Sequence, residues 1–326
     1  MDRAPVHGAP DAGVGMALTV GVDVGGTKIA AGVVDEAGKI LEEQRCHTPA
    51  RDTAQTQSAI VGLVKELAAR HDVAAVGIGA AGFVGADRTT VLFAPNLAWR
   101  DEPLGSAVQA QVGVPVVVEN DVNAAAWGEF RFGAGADVDD LLMVAVGTGV
   151  GGGIVLGGQL LRGSFGVAGE IGHLRVVPNG LPCGCGRHGC WEQYASGRAL
   201  VREARARVWD GDPLLELAGG SATGITGPMI TKEAQAGDAL CISLLADLGQ
   251  WLGEGIASLA AILDPRVVVI GGGVGDAGDL VLEPIRKAFD DNLPAAANRP
   301  HLEVRLATLG NEAGMIGAAD LARASS

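Results

Sequence analysis

A strand, a glycine–threonine turn and a second strand occur in succession twice in this chain. Residues 17–22 are an apolar run. Asp23, Gly25, Gly26, Thr27 and Lys28 form a turn, and Ile29 to Val34 follow as a second run. About 125 residues further on, Leu141 to Val146 meet Gly147, Thr148, Gly149 and Gly151 to Gly153. Then come Ile154 to Leu156, the pair Gly157 and Gly158, and Gln159 to Leu161. Short apolar, β-branched runs bounded by glycine read as buried strands. Their recurrence predicts two related α/β halves.

The rest of the chain fits that scheme. Asp35 to Gly38 predict a hairpin turn into a strand over 39–45. A helix is predicted over 54–70 with Thr53 as N-cap, strands over 74–79 and 115–118, and a helix over 123–132. Helices are expected over 197–209 and 231–263, the latter stopped by Asp264 and Pro265. A strand over 266–270 ends in Gly271, Gly272 and Gly273, and 311–323 is helical. Residues 1–16, rich in Gly, Pro and Ala, read as a flexible N-terminal tail. The smaller α/β domain is expected over 17–122 plus 304–326, and the larger over 123–303 with a cysteine-rich loop.

Composition narrows the function. With 326 residues, 48% of them hydrophobic, the chain can bury a sizeable core. A net charge of −14 disfavours nucleic-acid and anionic-membrane partners. No run approaches the roughly 20 apolar residues of a membrane span, and the first fifteen residues lack a signal-peptide core. Five cysteines, three of them clustered, fit a reducing cytoplasm better than a disulfide framework.

Three glycine turns each follow a buried strand, at 25–28, 147–153 and 271–275. Such turns offer backbone N–H groups to phosphate oxygens. Two of them match G-x-G-x-x-G, but the dinucleotide reading requires a helix directly after the glycines. A hairpin follows Gly153 instead. The pattern fits two hairpins that clamp a nucleoside triphosphate, with Thr27 and Thr148 adding hydroxyls and Lys28 in reach of a phosphate.

Glu119, Asn120, Asp121 and Asn123 follow the strand Val116 to Val118. Phosphoryl transfer to an alcohol needs a carboxylate to take the hydroxyl proton and donors to hold the acceptor. Asp121 is the candidate base, and capping of the following helix is its alternative role. Asn120 and Asn96 both donate and accept, which suits sugar hydroxyls. With few arginines near the motifs, the expected acceptor is a neutral polyol.

His173, Cys183, Cys185 and Cys190 lie within eighteen residues. Three thiolates and an imidazole complete the closed shell of a structural Zn²⁺. Glu170 and Glu192 flank these ligands, so whatever fixes the loop fixes both acids.

Asp23 to Lys28, Glu119 to Ala124, Glu170 to His173 and Cys183 to Glu192 occur in the order seen in ROK-family sugar kinases. The chain resembles that family over about residues 17–323. The resemblance implies a two-domain actin-like ATPase (ribonuclease H-like) fold with an interdomain cleft. It further implies ATP-dependent phosphorylation of glucose at its 6-hydroxyl, with Asp121 as base. Gly82, Asn96, Asn120, Asp121, Glu170, His173 and Glu192 match sugar-contacting positions, and His173 would both ligate zinc and touch the sugar. ATP phosphates are expected between the 25–28 and 147–149 turns, with adenosine against Gly271 to Gly273. Mg²⁺ would bridge the phosphates, with Asp23 as a partner in its outer shell rather than a direct ligand. The turn around Pro95, Asn96 and Trp99 resembles that of the glucose kinases. The sixteen residues before the first strand are too few for the DNA-binding domain of the family's repressors. Many members are dimers or tetramers, so a homo-oligomer is expected. Alternatives are another hexose, a polyphosphate donor, or a non-catalytic sugar sensor.

Overall fold

The computed structural model describes residues 17–324; the expected tail over 1–16 lies outside them. Contacts group the chain into two compact units. One contains the chain up to Leu141, with Gly153–Gly169 and Thr308 onward; the other contains Leu142–Gly152 and Glu170–Ala307.

The N-terminal part runs β1 (Leu18–Val24), β2 (Lys28–Val34), β3 (Ile40–His47), α1 (Thr53–Ala68) and β4 (Val73–Ala80). Three short strands follow, β5 (Phe83–Val84), β6 (Val91–Phe93) and β7 (Arg100–Glu102). Then come α2 (Leu104–Val112), β8 (Val116–Asn120) and α3 (Asp121–Phe132). The remainder runs β9 (Leu141–Val146), β10 (Val150–Leu156), β11 (Gln159–Leu160), α4 (Glu192–Ala195), α5 (Gly197–Arg207), α6 (Pro213–Leu217) and α7 (Gly227–Gln235). It continues through α8 (Ala239–Leu263), β12 (Val267–Gly271), α9 (Asp279–Asn292), β13 (Glu303–Leu306) and α10 (Ala313–Arg323).

The duplication seen in the sequence is a duplication of sheet order. One five-stranded sheet runs β3-β2-β1-β4-β8, the other β11-β10-β9-β12-β13. In the first, β1, β2 and β3 pair antiparallel, while β4 lies parallel to both β1 and β8. In the second, β10 and β11 are antiparallel and β12 and β13 parallel. Among the described residues no helix is long and apolar enough to cross a membrane.

The first sheet buries both faces by alternation. Val20, Val22 and Val24 pack into a core with Ile60, Val64 and Leu67 of α1. On the opposite face Gly32, Gly21 and Gly77 stand in register across β2, β1 and β4. Side chains there would strike α10: a Cβ on Gly21 meets the Met315 carbonyl, on Gly77 the Ala318 carbonyl, and on Gly32 the Met315 sulfur. The glycine row is therefore the groove in which the C-terminal helix lies.

The first unit extends beyond the boundary expected near 122. Gly128 of α3 faces Ala313, and Gly317 of α10 faces Ala124, each too closely for a Cβ. The buried Glu129 carboxylate also accepts from the backbone N–H groups of Ala134, Thr308 and Leu309 at 2.8, 2.9 and 2.7 Å. These contacts tie α3 to α10.

One further expectation needs correction. The cap of α1 is Asp52, not Thr53; its side chain accepts from Gln55 N–H at 2.9 Å. The stretch over 231–263 is helical as expected and divides into α7 and α8. Gly237 has φ of +95°, outside helical space, and Asp238 caps a new start by accepting from Cys241 N–H at 2.8 Å.

Candidate active site and metal centre

In the first unit the candidate base sits at a strand-to-helix junction. Asn120 closes β8 in extended conformation and caps α3, its Oδ1 accepting from the N–H groups of Val122 and Asn123 at 2.9 and 3.0 Å. The cap is thus Asn120 rather than Asp121. Asp121 becomes the first helical residue, and the helix N-terminus favours its negative charge. Asn120 Nδ2 donates to the Gly82 carbonyl at 3.0 Å and to Asp121 Oδ1 at 3.1 Å. Its amide therefore binds the loop, the helix and the carboxylate at once.

Gly82 and Asn96 belong to the same neighbourhood. A Cβ on Gly82 would strike the Phe93 carbonyl, so the strand leading to the Asn96 turn passes directly over it. Leu97 and Trp99 are buried, and Arg100 Nη1 donates to the carbonyls of Ala94, Leu97 and Trp99 at 2.8, 3.2 and 2.5 Å. That clasp holds Asn96 out, exposed. The Asn96 Cβ lies 3.2 Å from where a Cβ of Gly26 would stand, which brings the first glycine turn beside it.

That turn is short. Gly25 N–H donates to the Lys28 carbonyl at 3.1 Å, and the Thr48 hydroxyl to the Gly25 carbonyl at 2.8 Å. Gly26, Thr27 and Lys28 remain exposed. Asp23, at the end of β1, has its pKa raised by burial, with Lys28 acting against that. A carboxylate withdrawn from water gains from a cation. One carboxylate plus substrate phosphates is a donor set that suits Mg²⁺.

Glu119 is the residue of this junction that motif reading passed over as a site member. It is 3% exposed and accepts from Arg162 Nε at 2.6 Å, Asn123 Nδ2 at 3.1 Å and Asn120 N–H at 3.1 Å. Arg88 Nε lies 3.9 Å away. The abrupt charge after Val116 to Val118 was the available signal.

In the second unit the turn at 147–149 closes through Gly147 N–H to the Gly149 carbonyl at 3.0 Å. Thr148 is exposed and lines a cavity of 810 Å³ together with Gly147, Gly273, Val274 and Asp276. The opposing walls come from α5 and α7 and the segment between them. Leu200, Val201, Ile225 and Pro228 supply apolar surface, while Arg198 and Lys232 supply positive charge. Of the three expected glycines Gly273 lines this cavity. Gly271 and Gly272 stand behind it, closely packed on Met143 and on the Val146 backbone.

The metal ligands converge as the spacing implied. One ligand atom from each of His173, Cys183, Cys185 and Cys190 falls within 4.8 Å of all the others. Cys185 and Cys190 sulfurs are 3.6 Å apart, and Cys183 Sγ is 3.7 Å from His173 Nδ1. A tetrahedral zinc with bonds of about 2.3 Å to sulfur and about 2.0 Å to nitrogen sets sulfurs about 3.8 Å apart and sulfur and nitrogen about 3.6 Å apart. The residues fit the ion. Burial first, then the Glu192 carboxylate at 3.0 Å, push the Cys183 thiol up to about 12, a proton that a dication displaces. His173 Nδ1 faces the sulfurs, while its Nε2 faces Glu170 Oε2 at 3.9 Å. Desolvation raises the pKa of Glu170, His173 opposes this, and the Glu192 charge adds to it. The second unit thus gathers Glu170, His173 and Glu192 around the one loop that carries the candidate metal ligands.

Two sheets of one strand order, each opening on a glycine turn, define an actin-like ATPase fold. Within that class the chain belongs to the ROK family, whose model matches residues 19–325. It is 52% identical to a glucokinase of Streptomyces coelicolor, over 94% of this chain and 98% of that one. The crystal structure of a ROK family glucokinase from Streptomyces griseus in complex with glucose and AMPPNP superposes with a TM-score of 0.86. Identity is 55%, covering 94% of this chain and all of that chain (100%). A ROK hexokinase from Thermus thermophilus matches with a TM-score of 0.79 and 35% identity, over 94% and 98% of the two chains.

Proposed function

We propose that this protein is a glucokinase that transfers the γ-phosphoryl group of ATP to the 6-hydroxyl of D-glucose. The observation that carries the reading is the division of labour between Asn120 and Asp121. Asn120 takes the helix cap, so the Asp121 carboxylate stands at a helix start and accepts from the Asn120 amide. Asp121 accepts the hydroxyl proton as the bond from O6 to the γ-phosphorus forms and the bond to the ADP oxygen breaks. Asn96, Asn120, Glu170, His173 and Glu192 orient the sugar, and the Gly82 backbone borders it.

The donor is a nucleotide on this reading. The apolar walls of the Thr148 cavity suit a base and ribose, which a polyphosphate would leave empty. Thr27, Thr148 and the N–H groups of Gly25, Gly26 and Gly149 hold phosphate oxygens, with Lys28 as counter-charge. Mg²⁺ would be held beside Asp23 and supplies charge neutralisation on the phosphates. Zinc held by His173, Cys183, Cys185 and Cys190 has no open position, so its part is to fix the loop.

A coupled assay of glucose, mannose, fructose and N-acetylhexosamines against ATP and polyphosphate tests the reading. Turnover highest for glucose with ATP is expected. Preference for another sugar, or for polyphosphate, overturns it, and glucose binding without turnover would make the protein a sensor.

A further inference from the structure

We infer that the metal cluster positions the phosphate-side turn Gly147–Gly149 as well as the sugar-side carboxylates, so that metal occupancy and nucleotide affinity are coupled. This rests on the reading of the Thr148 cavity as the nucleotide site.

Both chain segments that leave the cluster press a glycine onto this turn. On the histidine side, Gly172 directly precedes His173, and a Cβ there would overlap the Val150 carbonyl oxygen. On the cysteine side, Gly197 N–H donates to the Gly147 carbonyl at 2.9 Å, and a Cβ on Gly197 would stand 2.7 Å from that oxygen. Between these, a Cβ on Gly149 would stand 2.5 Å from Glu192 Oε2. The turn is gripped at both of its ends and at Val150, the residue that follows it, and each grip depends on a missing side chain.

The two arms differ in their own support. The cysteine arm is anchored through Trp191, which is 1% exposed, packs on Gly255 and donates its ring N–H to the Trp251 carbonyl at 2.8 Å. The histidine arm is one 3₁₀ turn, Ile171–His173. The loop joining it to Cys190 carries two isolated bridges, Arg175 with Cys190 and Pro182 with His188. Backbone hydrogen bonds from Trp191 N–H to the Leu174 carbonyl at 2.8 Å and from Val176 N–H to the Gly189 carbonyl at 2.9 Å hold parts of this loop, and a cross-link through its ligands adds rigidity to the rest. The metal therefore ties the less supported arm to the anchored one, and the Thr148 turn lies between them.

The test uses the full-length protein and calorimetric titration of AMPPNP in the absence of sugar. Chelator-stripped protein should bind the analogue about tenfold more weakly than zinc-loaded protein, and added Zn²⁺ should restore the affinity. Unchanged affinity in stripped protein that keeps its circular dichroism spectrum overturns the inference. If stripping unfolds the chain, Cys185→Ser decides, because Cys185 is the exposed member of the cluster. A folded Cys185→Ser variant should hold less zinc and bind AMPPNP about tenfold more weakly, and a folded, zinc-poor variant with wild-type AMPPNP affinity would overturn the coupling. Zinc-loaded wild type that fails to bind AMPPNP at all sinks the nucleotide reading itself, a result distinct from either.

Discussion

The amide of Asn120 donates to Asp121 Oδ1 at 3.1 Å while its oxygen caps α3, so two adjacent residues divide two roles between them. One residue holds the helix start and aims the next. Asp121→Asn keeps size and cap, and removes the ability to take a proton together with a charge that the helix N-terminus favours. kcat should fall by about 10²- to 10⁴-fold with glucose affinity, read by calorimetry, near wild type. Asn120→Ala should cost about 1 kcal/mol of stability through the lost cap and lower kcat as well. A near-normal kcat in Asp121→Asn removes Asp121 as the base.

Cys183→Ser should release the metal, because a serine hydroxyl does not replace a thiolate on zinc. Zinc content by atomic absorption should drop to background. Glucose KM should rise by about tenfold or more as Glu170, His173 and Glu192 lose their common frame. Zinc-free protein with the wild-type glucose KM would show that the loop holds its shape unaided.

Arg198 and Lys232 bring positive charge to the wall of the Thr148 cavity in a chain of net charge −14. A charge-assisted contact to phosphate is worth about 1.5–3 kcal/mol, which is at least about tenfold in affinity for each residue. Lys232→Ala and Arg198→Ala should therefore raise the KM for ATP about tenfold while the KM for glucose stays put. Steady-state kinetics with each substrate varied in turn checks this; a shift in the glucose KM alone would assign these residues elsewhere.

Glu119 is buried and meets Arg162 Nε at 2.6 Å. The Arg162 side chain is 26% exposed, so stranding its charge costs less than the roughly 3–5 kcal/mol of a fully buried pair. Glu119→Ala should lower the urea midpoint accordingly and depress kcat through the loosened Asn120 junction.

Much of this was legible because it is local. The strands announce themselves as Val- and Ile-rich runs, and the candidate zinc ligands lie within eighteen residues, so spacing alone restricts their geometry. What was not legible depends on backbone conformation or distant packing. Asn120 and Asp121 are both capping residues, and the choice fell to the one whose φ and ψ are extended. Asp52 and Thr53 pose the same ambiguity. The break at Gly237 is invisible to hydrophobic periodicity, which continues on both sides of it. Strands β5 to β7 are two or three residues long and exist through their partners. The cavity walls carry no motif, since Leu200, Ile225 and Pro228 matter for their shape and position alone.

The glycine row under α10 yields a paired test. Gly77 lies in the middle of β4, and a Cβ there meets the Ala318 carbonyl, which is backbone and has no rotamer to yield. Gly77→Ala must lift α10 off the sheet, and overpacking of this kind costs about 1–3 kcal/mol or more. Gly62 of α1 is the contrast. It sits inside the helix with nothing within 4 Å of its Cβ position. Gly62→Ala should stabilise the protein by about 0.5–1 kcal/mol, because alanine loses less backbone freedom on folding. Thermal melts of the two variants should move in opposite directions from wild type. Equal shifts, or a stable Gly77→Ala, would mean that α10 has slack against the sheet and that the row is not what seats it.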